Sequence, residues 1–255
     1  TIVDLSHDPA ARVRRCIAQR DDTPSDVLRH LAEDAISQVW VARHPNTPAD
    51  VLIDLVSEHP CLAHDLADNP ALGLLLIDPE HMRQMPRSAC LQIARAYHVD
   101  PAWLHWAAHT DDPDFQRTAA LHPRTPPETL LHLCDASEST QVVVAQRAAL
   151  PDDVADRLSR SSSDFVRHQL AHGECIPPPV IWRLMADESE IVRRSIAANP
   201  CAPRSALWLT CARDPSPHVR RAAVENPSAP TGMIKCLGKD DNAGVRHAAQ
   251  KRLKL

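Results

Sequence analysis

Two short stretches of the sequence carry histidines at the spacing that a zinc site uses. The stretch "HQLAHGEC" contains His168, His172 and Cys175, and the stretch "HWAAH" contains His105 and His109. Two histidines four residues apart share one face of a helix, as zinc requires. With 15 histidines in the chain such pairs arise by accident, and neither stretch completes a set of four ligands. We therefore predict no metal site here and assign these histidines to packing or to the surface.

Motifs for enzyme chemistry are absent from the sequence. There is no G-x-S-x-G elbow, no glycine-rich phosphate loop and no H-E-x-x-H. Acidic residues are plentiful, but they recur in phase with a repeat, as scaffold residues do. We predict no catalytic residues and a protein that is not an enzyme.

Arginine pairs form the other chemically suggestive pattern. "VRRSIAANPCAP" runs from Val192 to Pro203, and the near copy "VRRAAVENPSAP" runs from Val219 to Pro230. Residues 190–255 hold 12 Lys and Arg against 5 Asp and Glu, although the whole chain has a net charge of −5. A basic end of this kind suits an acidic partner.

Composition favours helices. Aromatic residues make up 3% of the 255 residues, and there are 23 prolines and 5 glycines. Prolines must lie between helices rather than within them, so many short helices are expected. The eight cysteines are scattered without a C-x-x-C pair, and no signal peptide or membrane-spanning stretch is visible, so we expect a cytoplasmic protein with free thiols.

A repeat of about 26 residues organises the whole chain. Its anchor is a pair of residues, an apolar residue followed by Ala, which recurs in steps of 24 to 27 residues. The anchors are Ile17-Ala18, Val41-Ala42, Leu66-Ala67, Ile93-Ala94, Ala119-Ala120, Val144-Ala145, Leu170-Ala171 and Ile196-Ala197, with weaker versions at Ala223-Val224 and Ala249-Gln250. About ten repeats are therefore expected.

Each repeat predicts two helices. A Thr-Pro pair such as Thr23-Pro24 begins the longer one: Thr caps the free amides, Pro takes the first helical position, and the acid Asp26 suits the positive end of the dipole. A shorter helix such as "VRRSIA" follows and ends at Asn-Pro, because the residue before proline avoids the α region. No segment alternates with the period of a strand.

One such unit cannot bury its own apolar face, so the repeats must stack into a solenoid. We predict one continuous helical-repeat solenoid over residues 1–255, with an irregular repeat near residues 71–101 around "DPEHMRQMPRSA". The opening "TIVDLSHDP" is similar to the second half of a longer helix, "LRHLAED", so we interpret the sequence as beginning in the middle of a repeat.

The motif "VRRxIAxNPxTPxxxLxxLAxD" resembles the leucine-rich repeat variant family over nearly the whole chain. The resemblance implies α-helices alternating with 3₁₀-helices in a right-handed superhelix without β-strands, in a bacterial protein of no established activity. It also implies a family cofactor, a 4Fe–4S cluster held by cysteines N-terminal to the repeats. No four cysteines of this sequence have that spacing, so the cofactor is not transferred to it.

The two arginines of each pair recur at two neighbouring positions of the repeat, which we call the first and the second arginine column. We interpret the two columns differently. In the first column an Asp stands six residues before the Arg, and we expect the two side chains to pair as scaffold. These pairs are Asp8/Arg14, Asp187/Arg193, Asp214/Arg220 and Asp240/Arg246, while Arg167 is the exception with Asp164 nearer. The second column has no tracking acid and is a candidate basic stripe. It contains Arg15, His64, Arg117, His168, Arg194, Arg221 and His247.

Most cysteines fall at small or apolar positions, as Cys16 does in the slot of Ser195 and Ala222, and we expect them to be buried. The tryptophans of the longer helices are expected in the core. They are Trp103, Trp106, Trp182 and Trp208.

Three functions remain open. The first is a scaffold that binds a protein partner on an extended surface. The second is nucleic-acid binding through the basic end, with Arg194, Arg221 and His247 on one face with Lys235, Lys239 and Lys251. The third is electron transfer, which rests only on the family's cluster.

Overall fold

The computed structural model describes residues 1–76, 79–96 and 98–254, and all regular structure in these residues is helical. No β-strand occurs among them. They form two compact units, Thr1–Thr129 and Leu130–Leu255. The continuous single solenoid, its handedness and the count of ten repeats stay predictions.

The first unit alternates two kinds of helix. The helices that follow the Thr-Pro position are called first helices here, and those that carry the apolar-Ala anchor are called second helices. The first helices are α1 (Ile2–Ser6), α3 (Ser25–Leu31), α5 (Ala49–Glu58), α7 (Pro79–Gln84) and α9 (Pro101–Ala108). The second helices are α2 (Ala11–Ala18), α4 (Gln38–Arg43), α6 (Ala63–Leu66), α8 (Arg87–Arg95) and α10 (Pro113–Leu121). Each second helix packs on the next one along the chain.

The second unit continues the alternation. Its first helices are α13 (Asp152–Leu158), α15 (Pro178–Met185), α17 (Arg204–Leu209) and α19 (Thr231–Leu237), and the boundary between the units falls within α11 (Pro127–Leu133). Its second helices are α12 (Glu138–Ala145), α14 (Asp164–Ala171), α16 (Glu190–Ala198), α18 (Pro217–Glu225) and α20 (Ala243–Leu253). These five second helices stack in chain order.

The second helices differ from the prediction of a short, 3₁₀ segment. In most repeats they are α-helices of 8 or 9 residues, as in α16, where the helix already begins at Glu190. A segment with neither Pro nor Gly inside and with Ala at its end has no reason to stop after one turn. Among the described residues, 3₁₀ turns occupy Pro60–Leu62, Leu72–Leu76 and Cys211–Arg213.

The irregular repeat near residues 71–101 uses one of these turns. Its first helix is divided into the 3₁₀ turn Leu72–Leu76 and the short helix α7. Residues 77, 78 and 97 of this stretch lie outside the described residues.

The anchors form the core of the stack. Every anchor residue is buried except Gln250, and Val41, Ala42, Ile93, Ala94, Ile196 and Ala197 are completely buried. The small alanine allows the neighbouring second helices to approach closely, while the β-branched or leucine side chain fills the space between the rows. The period found in the sequence is therefore the period of the core.

Four second helices, α4, α10, α16 and α18, end at an Asn or His that precedes proline. His44, His122, Asn199 and Asn226 are buried and have extended backbone, with ψ of 129°, 129°, 127° and 130°. Extended backbone is what a following proline imposes. It leaves the last carbonyls of the helix without intrahelical donors.

The Asn side chain supplies donors to the preceding repeat. Nδ2 of Asn226 donates to the carbonyls of Ala197 (2.8 Å) and Asn199 (2.7 Å), and its Oδ1 accepts from the amide of Ser228 (2.8 Å). Asn199 and Asn69 make the equivalent bonds one and several repeats earlier. One side chain thus satisfies two carbonyls of one repeat and an amide of its own.

Histidine replaces Asn at this position in two repeats of the first unit. Nδ1 of His44 accepts from the amide of Asn46 (3.0 Å), which leaves Nε2 to donate to the carbonyl of Arg20 (2.7 Å). His122 bonds the carbonyl of Ala96 in the same way (3.1 Å). Asn-Pro and His-Pro are therefore equivalent parts of the repeat.

The Thr of the Thr-Pro pair has a different role from the predicted one. The hydroxyl of Thr23 donates to the carbonyl of Ile17 (2.6 Å), and that of Thr47 donates to the carbonyl of Val41 (2.6 Å). The first helices then begin one residue after the proline, at Ser25 and Ala49, with no side-chain cap. The buried carbonyl at the end of the second helix takes the hydroxyl in preference to the solvated amides of the next helix.

Substitution of Asn226 tests this carbonyl bonding. Asn226→Ala leaves two buried carbonyls and one amide without their partner, and we expect it to lower the free energy of unfolding by about 2–4 kcal/mol. Asn226→His keeps one carbonyl bond and the amide bond, so we expect it to lose clearly less. Urea denaturation measures both values. Equal losses for the two variants would contradict the role given to the side chain.

Candidate functional site

The first arginine column links consecutive repeats in the second unit. Nε of Arg193 donates to the carboxylate of Asp214 in the next repeat (2.7 Å), and Nη1 donates to the carbonyl of Asp187 (2.8 Å). The Arg193 and Asp214 side chains are only 15% and 6% exposed. The predicted partners are therefore joined differently, because Asp187 offers Arg193 its carbonyl and keeps its carboxylate for Arg167 of the preceding repeat (2.7 Å).

The same arrangement recurs along the column. Arg220 donates to the Asp240 carboxylate (2.7 Å) and to the Asp214 carbonyl (2.8 Å). Arg246 continues it with a bond to the Asp240 carbonyl (2.6 Å). In the first unit Arg14 donates to Asp34 (3.1 Å) and to the carbonyl of Asp8 (2.8 Å). Arg167, the exception in the sequence, is a full member of this inter-repeat ladder.

Each ladder carboxylate also satisfies an amide of its own loop, as the sequence predicts. The amides donate from Ala10 to Asp8, from Ser189 to Asp187, from Ser216 to Asp214 and from Asn242 to Asp240, all at 2.8 or 2.9 Å. Asp187, Asp214 and Asp240 therefore each join three partners: an amide of their own loop and the arginines of two successive repeats.

Glutamine takes the place of arginine where the repeat lacks one. Nε2 of Gln116 donates to the carbonyl of Thr110 (2.9 Å), and Nε2 of Gln38 donates to that of Ala32 (3.0 Å). Both span six residues, as the arginines do. Where the position holds Arg or Gln, the bond to the loop carbonyl thus needs only a long donor side chain, with or without charge, whereas Ala63 and Cys90 hold the same position in two repeats and supply no such donor.

Pairing with arginine lowers the carboxyl pKa of Asp34 and of Asp240. The hydrogen bond from Arg14 is the main cause at Asp34, and the bond from Arg220 is the main cause at Asp240, while burial opposes both. A lowered pKa in the folded state adds stability above the ordinary carboxyl pKa of about 3.9. This stability is lost as the pH falls through the lowered value.

The second column differs from the first, because several of its residues lie on the surface. Arg15, Arg194, Arg221 and His247 are all exposed. Arg221 forms an exposed ion pair with Glu225, four residues later on α18 (2.8 Å). Arg194 has no ion pair among the residues that the structure describes.

A groove of about 300 Å³ lies beside Arg194, and its lining residues define what is called the histidine groove here. They are His168, His172, Arg194, Ser195, Ala198, Ala222, Glu225 and Asn226. Nδ1 of His168 lies 2.8 Å from Oγ of Ser195, which donates its own proton to the carbonyl of Ile191 (2.9 Å). The imidazole therefore donates to Ser195 and does not activate it as a nucleophile.

His168 has a pKa below the ordinary histidine value. Burial is the largest cause, followed by the charges of His172 and Arg194. The imidazole is therefore neutral at pH 7, with Nδ1 as donor. The groove at this pH has one permanent cation, Arg194, beside the ion pair of Arg221 and Glu225.

The lysines of the predicted basic face belong to two rows of helices. Lys235 lies on the first helix α19 and Lys239 directly follows it, whereas Arg194, Arg221 and His247 lie on second helices. Lys251 is on α20, one turn after His247. The sharing of one face by all six residues stays a prediction.

The tryptophans divide into two pairs, and the prediction that all four are in the core is wrong. Trp103 is completely buried, and Trp106 packs edge-on against it with ring centres 5.6 Å apart. Trp182 and Trp208 are each 39% exposed, and Leu209 beside Trp208 is 62% exposed. Trp182 and Trp208 occupy the same position of two successive first helices, α15 and α17.

That position is variable in the other repeats. It is occupied by Arg29, Ile53, His105, Leu131, Asp156 and Lys235. Ile53 is buried at this position, but a position that also accepts Arg, Asp and Lys can face solvent, and this signal in the sequence favours a surface location for both tryptophans.

Basic residues surround the exposed tryptophans. Arg204 precedes Trp208 by one turn of α17. Lys235 holds on α19 the position that Trp208 holds on α17. The ring of Trp208 reaches α19, because a Cβ on Gly232 would lie 3.9 Å from its Cζ3. We call Trp182, Trp208, Leu209, Arg204, Lys235 and Lys239 the tryptophan surface.

The cysteines are less uniformly buried than predicted. Cys90, Cys134 and Cys211 are buried, which raises the pKa of their thiols to about 11, 12 and 11. The other five are exposed: Cys16, Cys61, Cys175, Cys201 and Cys236. A surface cysteine at a small position of a helix needs no buried pocket.

Metal ligands do not converge in the described part of the chain. No group of three or more His, Cys, Asp or Glu side chains there could hold a metal ion. This part of the chain thus has no cysteine group for a 4Fe–4S cluster, which the family resemblance places N-terminal to the repeats. His105 and His109 stack on each other with ring centres 4.1 Å apart, and His105 contacts Thr129.

The alternation of stacked helices joined by polar ladders defines a helical-repeat protein. Among solved structures, the chain is similar to one described as a leucine-rich repeat variant with a novel repetitive protein structural motif. The two share 19% identity at a TM-score of 0.53, over 96% of this chain and 88% of that one. The chain thus has the fold of the leucine-rich repeat variant, as the sequence motif predicts.

Other comparisons are weaker. Two engineered proteins align over 99% of the chain with TM-scores of 0.28 and 0.19 and with 14% and 13% identity, and they add nothing to the assignment. No family model and no curated protein matches the sequence. No helix of the described residues is long and apolar enough to cross a membrane.

The division between the two arginine columns can be tested by mutation. Arg193→Ala leaves the buried Asp214 carboxylate unpaired, and we expect it to lower the free energy of unfolding by about 3–5 kcal/mol. The double variant Arg194→Ala, Arg221→Ala removes only exposed groups, and we expect a loss below about 1 kcal/mol. Urea denaturation gives both values. Comparable losses would show that the second column is structural.

The pKa of His168 tests the geometry of the histidine groove. Arg194→Gln removes a nearby positive charge, so we expect the pKa of His168 to rise towards its ordinary value without reaching it, because burial remains. Titration of the imidazole followed by NMR measures this shift. His7, which is far along the chain from the groove, serves as the internal control. An unchanged pKa of His168 would show that Arg194 is too far from the imidazole to affect it.

Proposed function

We propose that the chain is a non-enzymatic repeat scaffold that binds a protein partner on its second unit. The observation that supports this is the exposure of Trp182, Trp208 and Leu209 together on successive repeats. A single exposed apolar side chain is ordinary, but a cluster is typical of an interaction site. Tryptophan and arginine are also the residues that dominate the energy of protein interfaces.

The ladder residues support the same proposal, because their hydrogen bonds are made within the protein. The ladder Arg and Asp side chains form hydrogen bonds within the stack, and the hydroxyl of Ser195 donates a hydrogen bond to a backbone carbonyl. These groups serve the fold. The side chains left over for another molecule are those that depart from the repeat, and Trp182 and Trp208 are the largest of them.

A nucleic acid is a second candidate partner. Arg204, Lys235 and Lys239 are exposed and have no ion pair among the described residues, and Arg204 lies one turn before Trp208 on α17. Basic grooves with stacking aromatics are typical of proteins that bind single strands. The test of the proposal must therefore identify the class of the captured molecule.

Photo-crosslinking in cells of the native host tests this function. We introduce p-benzoylphenylalanine at Trp182 or at Trp208, and at Ile36 of the first unit, which is 53% exposed, as a control. We expect discrete adducts from the two tryptophan positions that protease removes and nuclease does not. Adducts removed by nuclease would favour the second candidate. No adduct at either position, or the same adducts at Ile36, would contradict the proposal.

A further inference from the structure

We infer that the tryptophan surface docks an acidic segment of the partner, in which Asp or Glu alternates with apolar residues. This inference rests on the proposed function and adds the chemistry of the partner. Its two parts are an apolar strip and a set of cations that nothing in the described structure neutralises.

The apolar strip follows the repeat. Trp182 and Trp208 hold one position on successive first helices, and Leu209 adds an aliphatic side chain that is 62% exposed. Helices pack about 8–10 Å apart, and an extended chain rises about 3.3 Å per residue. About three residues of an extended segment therefore span one repeat, and about six span the distance from the repeat of Trp182 to that of Lys235.

The cations lie at one end of this strip. Arg204, Lys235 and Lys239 are exposed on α17, on α19 and just after α19, without ion pairs among the described residues. The acid at the other end is already paired, because Asp156, which has the position of Trp182 one repeat earlier, binds Arg183 (2.7 Å) and Arg160 (3.2 Å). Neighbouring Asp240 is paired with Arg220. Asp241, which follows Asp240, is the exposed acid nearest in the chain to Lys239, so three cations stand against one acid here and the surface is apolar with a net positive charge.

Charge complementarity then selects the occupant. A segment with carboxylates beside apolar side chains matches both parts of the surface and would be steered to it by charge. A basic or neutral segment would leave the three cations unpaired or would be repelled by them.

A nucleic acid matches the surface less well. Several cations of residues 190–255 already have partners within the protein. Arg193 and Arg220 pair with ladder aspartates, and Arg221 pairs with Glu225. Arg252 donates to two carbonyls. Stacking also needs open aromatic faces, whereas Trp208 lies close to Gly232 of α19. Leu209 offers aliphatic contact that a phosphate backbone does not use.

Selection from a phage-displayed library of random 12-residue peptides tests the inference without a known partner. The intact chain is the bait, and the variant Trp182→Ala, Trp208→Ala is the counter-bait. We expect the enriched peptides to combine Asp or Glu with Trp, Phe or Leu and to bind the double variant at least tenfold more weakly. Enriched peptides that are neutral or basic would overturn the inference while leaving a protein-binding surface in place.

Two charge variants separate the role of the cations from that of net charge. Lys235→Glu with Lys239→Glu is expected to weaken binding of a selected, fluorescein-labelled peptide at least tenfold. The matched control, Lys251→Glu with Lys254→Glu, makes the same change in net charge elsewhere and is expected to stay within twofold. Equal effects would overturn the inference. Labelled dT12 that binds more tightly than the peptide, and displaces it, would overturn it in favour of a nucleic acid.

Failure of this experiment is distinguishable from failure of the proposed function. Protein adducts at Trp182 or Trp208 together with peptides that lack acidic residues would retain the scaffold and reject the acidic partner. Peptides that bind the tryptophan variant as tightly as the intact chain, or no enrichment at all, would contradict docking of a short acidic segment. All variants alter exposed residues, and thermal unfolding followed by circular dichroism checks that each remains folded.

Discussion

Buried backbone carbonyls at the helix ends are the constraint on which the rest of this structure depends. Every helix leaves its last carbonyls without intrahelical donors, and stacking the repeats removes these groups from water. The chain meets the requirement with side chains from the next turn and from the next repeat. Asn226 bonds two such carbonyls, Thr23 bonds one, and Arg193 bonds two loop carbonyls while it also pairs with Asp214. The prolines that divide the chain into short helices therefore explain why so many polar residues are buried in it.

Different residue types at one position of the repeat can make the same hydrogen bond to a carbonyl. His44 stands where Asn226 stands, and Gln116 stands where Arg220 stands, and each makes the corresponding bond to a carbonyl. Such positions are constrained by the stack and carry no information about a partner. Positions that vary freely between repeats, such as the one shared by Asp156 and Trp182, are where a partner can be recognised. This separation is the physical basis for assigning function to the tryptophan surface rather than to the arginine pairs.

Much of the fold follows from the sequence, because the anchor dipeptide and the prolines mark the core and the bends directly. The bonds across repeats are harder to predict, since Asp187 can offer either its side-chain carboxylate or its backbone carbonyl to the arginine six residues later. Thr23 illustrates the same limit, because a Thr before Pro fits the pattern of a cap until the buried carbonyl of Ile17 is seen. The exposure of Trp182 and Trp208 is visible only when the same position is compared across repeats, because a tryptophan in a single repeat has the apolar character of a core residue.

A double-mutant cycle on Arg193 and Asp214 measures the central claim, that polar bonds between repeats hold the stack. The free energy of unfolding is measured for the intact chain, for each single alanine variant and for the double variant. The account predicts a coupling of roughly 1.5–3 kcal/mol, because the bond is charged and buried. The same cycle on Arg221 and Glu225, an exposed pair, is predicted to give only about 0.3–0.5 kcal/mol. A coupling near zero for Arg193 and Asp214, or equal couplings for the two pairs, would contradict it.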